Sequence, residues 1–365
     1  MKVTLLAADQ LTDAHCEHWS QLQAANPDLG SPFFHPLYTR EAAAALPNVE
    51  AAILEEKGEP MAYFSFQRTA RNVGIPVGGS LSDFQGVVAR RGFTFDAAAL
   101  VRGCRLSGLR FTRLLASQQA FQPHHWLTSD SPSLDLREGF EAYCRRRREA
   151  GSTLISRIRE KRRFAIRDVG PLRFEDDARR PQVLESLIAW KSRQYERIRA
   201  VNPLIKPGTL DFLRRLLALR GPEFHGVLSA IYFGERLAAV HLGLRCGNVL
   251  HYWFPTYNEE LGKYSPGNIC LMEQAAAAEA LGIQRIDLGC GNEKFKASLR
   301  CCGTPVAEGA VGLGVLSMSL RRTWLHTKHW VQSSRFQGAA RTVVRGLRGL
   351  FLYGFRHASK SRKPS

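Results

Sequence analysis

The sequence contains no Cys-x-x-Cys, although eight cysteines lie among its 365 residues. Its cysteines and histidines never fall at zinc-ligand spacing, which excludes a zinc ribbon or finger as the organising device. Cys301 and Cys302 are adjacent, where a bridge is strained, so a reduced, cytoplasmic chain is expected. No apolar run reaches the length that crosses a bilayer as a helix. The opening MKVTLLAADQ has one Lys and an apolar stretch too short for a secretory signal. Neither a Walker loop nor a dinucleotide fingerprint is present, and no Ser-His-Asp order stands out. Acid is missing from a whole region: no Asp or Glu follows Glu308.

The formal charge of +18 is therefore unevenly placed. Arg145 to Arg167 holds ten Lys/Arg against Glu149 and Glu160, a net of +8, and Arg321 to Lys363 holds eleven Lys/Arg, which leaves the remainder near −1. The body is close to neutral and carries two basic attachments. In the second, Arg341, Arg345 and Arg348 share one helical face, and Val344, Leu347 and Phe351 lie on an adjoining one. Such a segment is either a disordered basic tail or an amphipathic helix suited to an anionic membrane surface.

Two stretches repeat. AILEEKGEPMAYFSFQR (Ala52 to Arg68) and AIYFGERLAAVHLGLR (Ala230 to Arg245) both place Gly-Glu between β-rich runs, a hairpin signal. LSGLRFTRL (Leu106 to Leu114) parallels ALGIQRIDL (Ala280 to Leu288), a helix stop at Gly followed by a strand. The offsets match closely: Gly58 to Gly108 is 50 residues and Gly234 to Gly282 is 48. A duplicated unit follows, each copy reading as strand, two helices, three antiparallel strands, helix, strand. In the second copy these are 172–174, 181–199, 209–220, 224–233, 236–245, 249–256, 269–281 and the strand holding Asp287. A helix at 292–300 and a β-rich stretch ending near Val315 close the copy. The charged segment Glu138 to Arg167 reads as one or two helices forming an arm.

YSPGNICLMEQAAAAEALGIQRIDLG (Tyr264 to Gly289) carries the clearest site signal. Ser265 can cap, Pro266 suits the first helical position and Gly282 can stop the helix. The start leaves bare backbone N–H groups, and Gly267 has no side chain to block a phosphate from them or from those of Asn268 and Ile269. Lys263 adds a point charge. A plain capped helix explains the same residues. On the preceding strands His241 alternates with Val240, Leu242 and Leu244, and the small neighbours Ala239 and Gly243 leave it room. It is either a general base or a hydrogen-bonded structural His. Asp287, at a strand mouth, can orient a nucleophile, hold a hydroxyl or cap the next turn. Glu293 and Lys296 share a helix face, as an ion pair or as a base and a phosphate ligand. Of Tyr252 and Trp253, one faces the site and the other the core. Trp190 and Tyr195 read as packing residues.

This element order resembles the GNAT acyltransferase fold, and two copies resemble the tandem FemAB-type arrangement. HYWFPTYNEELGKYSPGNICLMEQAAAAEALGIQRIDLGCGNEKFK is similar to the signature of the CelD/BcsL-like acetyltransferases of cellulose and exopolysaccharide biosynthesis, and SPFFHPLYTREAAAA and LSDFQGVV are similar to that family too. One departure is GKYSPGN, which keeps Gly267 but lacks the second glycine of the usual GNAT donor loop. DLGCGN is similar to a methyltransferase loop but follows a late strand. The resemblance implies an α/β fold with a mixed sheet, organised as a GNAT-like unit at 1–136, a basic helical arm at 137–170, a GNAT acyltransferase unit at 171–318 and a basic tail at 319–365. It implies an acyltransferase acting on a sugar or polysaccharide precursor, with acetyl-CoA or another acyl-CoA as donor, a nucleotide- or lipid-linked sugar as acceptor, and no metal. His241, Asp287 and Glu293 would be catalytic, and Lys263, Tyr264, Ser265, Gly267, Asn268 and Lys296 would hold the donor. The alternatives are a FemAB-like transferase using aminoacyl-tRNA, with the arm against RNA phosphates, or a membrane-associated scaffold without catalysis. The expected location is the cytoplasm or the inner face of its membrane.

Overall fold

β-rich segments and amphipathic helices alternate along the chain as the pattern predicts. The computed structural model describes residues 2–312 except Asn292; the basic tail at 319–365 and the approach to Val315 lie outside the described residues. The first half runs β1 (Lys2–Ala7), α1 (Asp13–Ala24), α2 (Pro36–Ala45), β2 (Val49–Glu56), β3 (Glu59–Arg68), β4 (Val73–Ile75), β5 (Val88–Ala89), α3 (Ala97–Gly103), β6 (Gly108–Leu115) and β7 (His125–Asp135). The arm is α4 (Phe140–Glu149) and α5 (Leu154–Asp168). The second half runs β8 (Leu172–Glu175), α6 (Pro181–Arg197), α7 (Thr209–Ala218), β9 (Phe224–Phe233), β10 (Arg236–Cys246), β11 (Val249–Tyr257), α8 (Pro266–Ala276), β12 (Arg285–Asp287), α9 (Lys294–Leu299) and β13 (Cys302–Val311).

Both predicted hairpins form, β2–β3 and β9–β10. The helix predicted from Ile269 starts earlier, with Pro266 in its first turn. Its α-helical part stops at Ala276, and the turn that follows closes at Gly282, where φ is +67° and Ile283 N–H donates to Ala278 O at 2.7 Å.

All the strands belong to one mixed sheet, in the order β1-β2-β3-β4-β6-β13-β7-β12-β11-β10-β9-β8, with β5 beside β3. The repeat is visible in it: β4 pairs parallel with β6, and β11 pairs parallel with β12. The two halves then exchange their last strands. β7 leaves the first half to pair with β12, and β13 returns from the second half to pair with β6. β7 and β13 also pair with each other. Residues 1–312 consequently form one compact unit, and the sheet runs unbroken past the expected unit boundaries at 136 and 170.

Helices cover both faces. α1, α2, α6 and α7 bury Trp19, Tyr38, Leu187 and Phe212 against one face of the sheet. α4, α5 and α8 bury Tyr143, Ile158 and Ile269 on the opposite face of the second half. α3 covers the corresponding part of the first half with Leu100 and Val101. The alternation read for β10 holds: Val240, Leu242 and Leu244 belong to the first core. His35, just before α2, stacks on Phe224 of β9, with ring centroids 4.7 Å apart. Its Nδ1 accepts from Leu37 N–H, and burial pulls its pKa down to about 4.

Two outcomes are expected. A fragment ending at residue 136 lacks β13, so β6 and β7 have no strand between them and Phe111 and Leu114 lose their cover. It should aggregate or stay unfolded; a monomeric fragment with cooperative urea unfolding would show that the halves close independently. Acid should destabilise the intact protein early. His35 is neutral when folded but takes a proton below about pH 6.5 when unfolded, so stability falls between about pH 6.5 and 4, with a slope near 1.4 kcal/mol per pH unit from this group. Urea unfolding of wild type and H35Q at several pH values checks this, the variant having the shallower slope.

Candidate active site

β11 and β12 pair over only three residues, Val249–His251 with Arg285–Asp287. Beyond them β12 ends while β11 continues to Tyr257, so the sheet forks. At the fork β11 gains one residue against β10: Leu242 faces Phe254 and Leu244 faces His251, so Tyr252 and Trp253 both stand opposite Gly243. A bulge of this kind interrupts the ladder and leaves a backbone residue unpaired. Only glycine fits at 243, because a Cβ there would lie 2.6 Å from both His251 O and the His241 ring.

Five of the six residues expected to hold the donor lie side by side, and the sixth, Lys296, lies apart on α9. The turn Glu259–Tyr264 and α8 bring Lys263, Tyr264, Ser265, Gly267 and Asn268 into one short stretch. Ser265 does not cap with its side chain. It sits in the left-handed region (φ 56°), and its Oγ instead accepts from Lys161 Nζ at 2.7 Å. Asn268 and Ile269 N–H groups turn back to Ser265 O. Gly267 has open space around its α-carbon apart from the Tyr257 ring at 3.4 Å. The arm reaches this end through further contacts: Arg162 pairs with Glu273 at 2.6 Å, and Tyr264 Oη donates to Asp168 at 3.0 Å. Lys161 went unnoticed in the sequence because its charge was one of ten in a run.

The three expected catalytic residues separate. His241 is fully buried beneath α8, stacked on Tyr252 at 3.7 Å, with Nδ1 3.1 Å from Ser229 Oγ. The room expected beside it is absent, because its ring packs onto Gly243. Burial holds its pKa well below the usual histidine value. Asp287 is buried on the other face, 3.0 Å from Arg285 Nε, and burial raises its pKa. Glu293 is the exposed one, 3.3 Å from Lys296. Lys296 Nζ donates to Gly289 O and Cys290 O, which pins the loop after β12. Tyr252 and Trp253 are both packing residues, on opposite faces: Tyr252 lies against His241, and Trp253 donates to Leu81 O. Trp190 packs on the core as expected, while Tyr195 lies beneath the ammonium of Lys191.

Residues that the sequence did not single out complete the fork. Asp83, from LSDFQGVV in the first half, receives Arg113 at 2.7 Å and lies 2.7 Å from His251 Nε2. Burial raises the Asp83 carboxyl, but Arg113 and the His251 hydrogen bond outweigh it, and the net pKa is low. Gly289 must be bare here, since a Cβ would lie 2.7 Å from Asp83 Oδ2. Lys191 of α6 donates to Pro255 O at 2.9 Å, and burial pulls its pKa down to about 8. Among the described residues no cluster of His, Cys, Asp or Glu could hold a metal ion.

Asp83→Ala should therefore cost about 3–5 kcal/mol, because it strands Arg113 and His251 without their partner. Chemical denaturation measures this; a loss under about 1 kcal/mol would mean that solvent replaces the carboxylate.

Residues 152–297, from the start of the arm's second helix into α9, match the family described as "Acetyltransferase (GNAT) domain". No curated protein matches the sequence. Two solved structures share the fold. The C-terminal domain of a putative lysylphosphatidylglycerol synthetase from Agrobacterium fabrum aligns over 87% of this chain and 95% of its own at 12% identity, with a TM-score of 0.53. FemX aligns over 85% of this chain and 96% of its own at 9% identity, with a TM-score of 0.57. The forked β11–β12 pair and the helix that opens beside it lie within the matched segment, and the protein is an acyltransferase whose residues 152–297 match a GNAT acetyltransferase domain.

Proposed function

We propose that the protein transfers an acyl group from acyl-CoA to an amine or hydroxyl of a nucleotide- or lipid-linked sugar, a precursor of an exopolysaccharide. The observation that carries the donor is the uncapped start of α8. The positive end of the helix dipole lies there, Gly267 carries no side chain to screen its own N–H, and Lys161 and Lys263 stand at the same end, while the Asn268 and Ile269 N–H groups are already taken by Ser265 O. A pyrophosphate fits this chemistry. The thioester would then run along β11 toward the bulge at Tyr252–Trp253, where the unpaired backbone can meet the oxyanion. The acceptor attacks the thioester carbonyl, its proton passes to Glu293, and the CoA thiolate leaves. Glu293 takes this role because it alone of the three expected catalytic groups is exposed. The sugar acceptor rests on the likeness of residues 251–296 to the CelD/BcsL-like enzymes.

A second reading keeps the fold and replaces the donor with aminoacyl-tRNA. It is favoured by the position of α5, whose Arg157 and Arg163 have no ion-pair partner among the described residues and lie on the helix that packs against α8. RNA that copurifies and is released by moderate salt would support it.

Calorimetry with a panel of acyl-CoAs tests the donor. Gly267→Val should weaken binding about tenfold or more without unfolding, since only Tyr257 lies near the new side chain. Unchanged affinity in the folded variant would remove the donor from this end of α8.

A further inference from the structure

A second chemistry lies two strands away from the fork. Directly paired residues form a transverse row on one face of the sheet: His251 on β11, Asp287 on β12, Ser133 on β7 and Cys302 on β13. Strands are about 4.8 Å apart, so Cys302 stands about 10 Å from Asp287. The outer end of the row opens into a cleft of about 1110 Å³, lined by both halves of the molecule, with Ser133, Asp135, Arg285 and Cys302 in its wall.

Cys301 and Cys302 are both exposed, and their sulfurs are 3.8 Å apart. Ser133 Oγ lies 3.1 Å from Cys302 Sγ, and Asp135 N–H donates to Cys301 Sγ at 2.9 Å. The charged groups nearby are Arg285, which favours a thiolate at Cys302, Arg137, whose charge also interacts with that sulfur, and Asp135, which opposes the thiolate. Hydrogen bonding from Cys301 is the largest influence, and it brings Cys302 down to about 6. The other seven cysteines are all raised: Cys16, Cys104, Cys144, Cys246, Cys270 and Cys290 chiefly by burial, and Cys301 chiefly by its hydrogen bond to Cys302.

We infer that Cys301–Cys302 is a thiol modification site on the wall of the inter-half cleft, with Cys302 the attacking sulfur, Cys301 the resolving one and hydrogen peroxide the oxidant. The Cys302 thiolate attacks a peroxide oxygen. The S–O bond forms, the O–O bond breaks, and the displaced hydroxide leaves as water after taking a proton. Cys301 then loses its proton and attacks the sulfenic sulfur. The S–S bond forms, and the sulfenic oxygen leaves as a second water. Two thiols are oxidised and one peroxide is reduced to two waters. Adjacent residues hold their α-carbons closer than an ordinary disulfide prefers, so the product is strained and a thiol reductant reopens it readily.

The test uses the full-length native protein. Iodoacetamide at pH 7 should alkylate Cys302 at least about tenfold faster than Cys246 or Cys290, the two half-buried thiols. Hydrogen peroxide followed by trypsin should give a peptide beginning at Cys301 that has lost two hydrogens, and dithiothreitol should restore it. In C301S the same treatment should stop at a sulfenic acid on Cys302 that dimedone traps. Alkylation of Cys302 no faster than that of Cys246 would overturn the proposal. So would a dimedone adduct on Cys302 of the wild type without any internal disulfide, which would show that Cys301 does not resolve it.

Discussion

The arrangement around the fork depends on one short carboxylate. Asp83 comes from the first half, accepts from Arg113 on β6 and faces His251 on β11 of the second half. His251 is wholly buried, with Phe33 edge-on at 4.9 Å, so its ring nitrogen has no water to turn to. A buried polar group left unpaired is costly, which makes this contact a fixed point rather than an optional one. From it follow the close approach of Gly289 to Asp83, the path of the loop after β12, and the anchoring of that loop by Lys296. His251 also stands immediately before the bulge in β11. The joint between the halves and the shape of the fork are thus one structural feature.

The exchange of β7 and β13 reinforces it. Each half repeats the same element order, yet neither closes its own sheet. Each supplies a strand to the other across the middle, and the arm α4–α5 spans the connection on the way. The arm is then free to pack on α8, where Lys161 and Arg162 engage Ser265 and Glu273. Part of its positive charge is met by the arm's own acids at the surface: Arg146 pairs with Glu138, Arg159 with Glu141 and Arg167 with Asp168. A run that reads as a uniform basic patch is, in three dimensions, two helices, the second with one side packed against the start of α8.

The start of α8 was legible because its residues are local. Lys263 through Asn268 are consecutive, and a helix start is a property of a few neighbouring residues. The fork's opposite wall was not. Asp83, Arg113, Lys191 and His251 are far apart in the chain, and each has an ordinary explanation where it stands. His241 misled for the same reason. Alternation along β10 correctly gave its side of the sheet, but neither alternation nor its small neighbours reveals that its ring lies on Gly243 under α8.

The sequence by itself determined the elements, their order, the duplication and the place where α8 begins. These follow from periodicity, turn residues and caps, which act over a few residues. Only the tertiary structure decided that the halves interlock, that the arm packs on the start of α8, and that Asp83 meets His251 while His241 and Asp287 lie on opposite faces of the sheet. Strand exchange and cross-half pairing depend on which distant surfaces bury each other, and no local pattern encodes that choice.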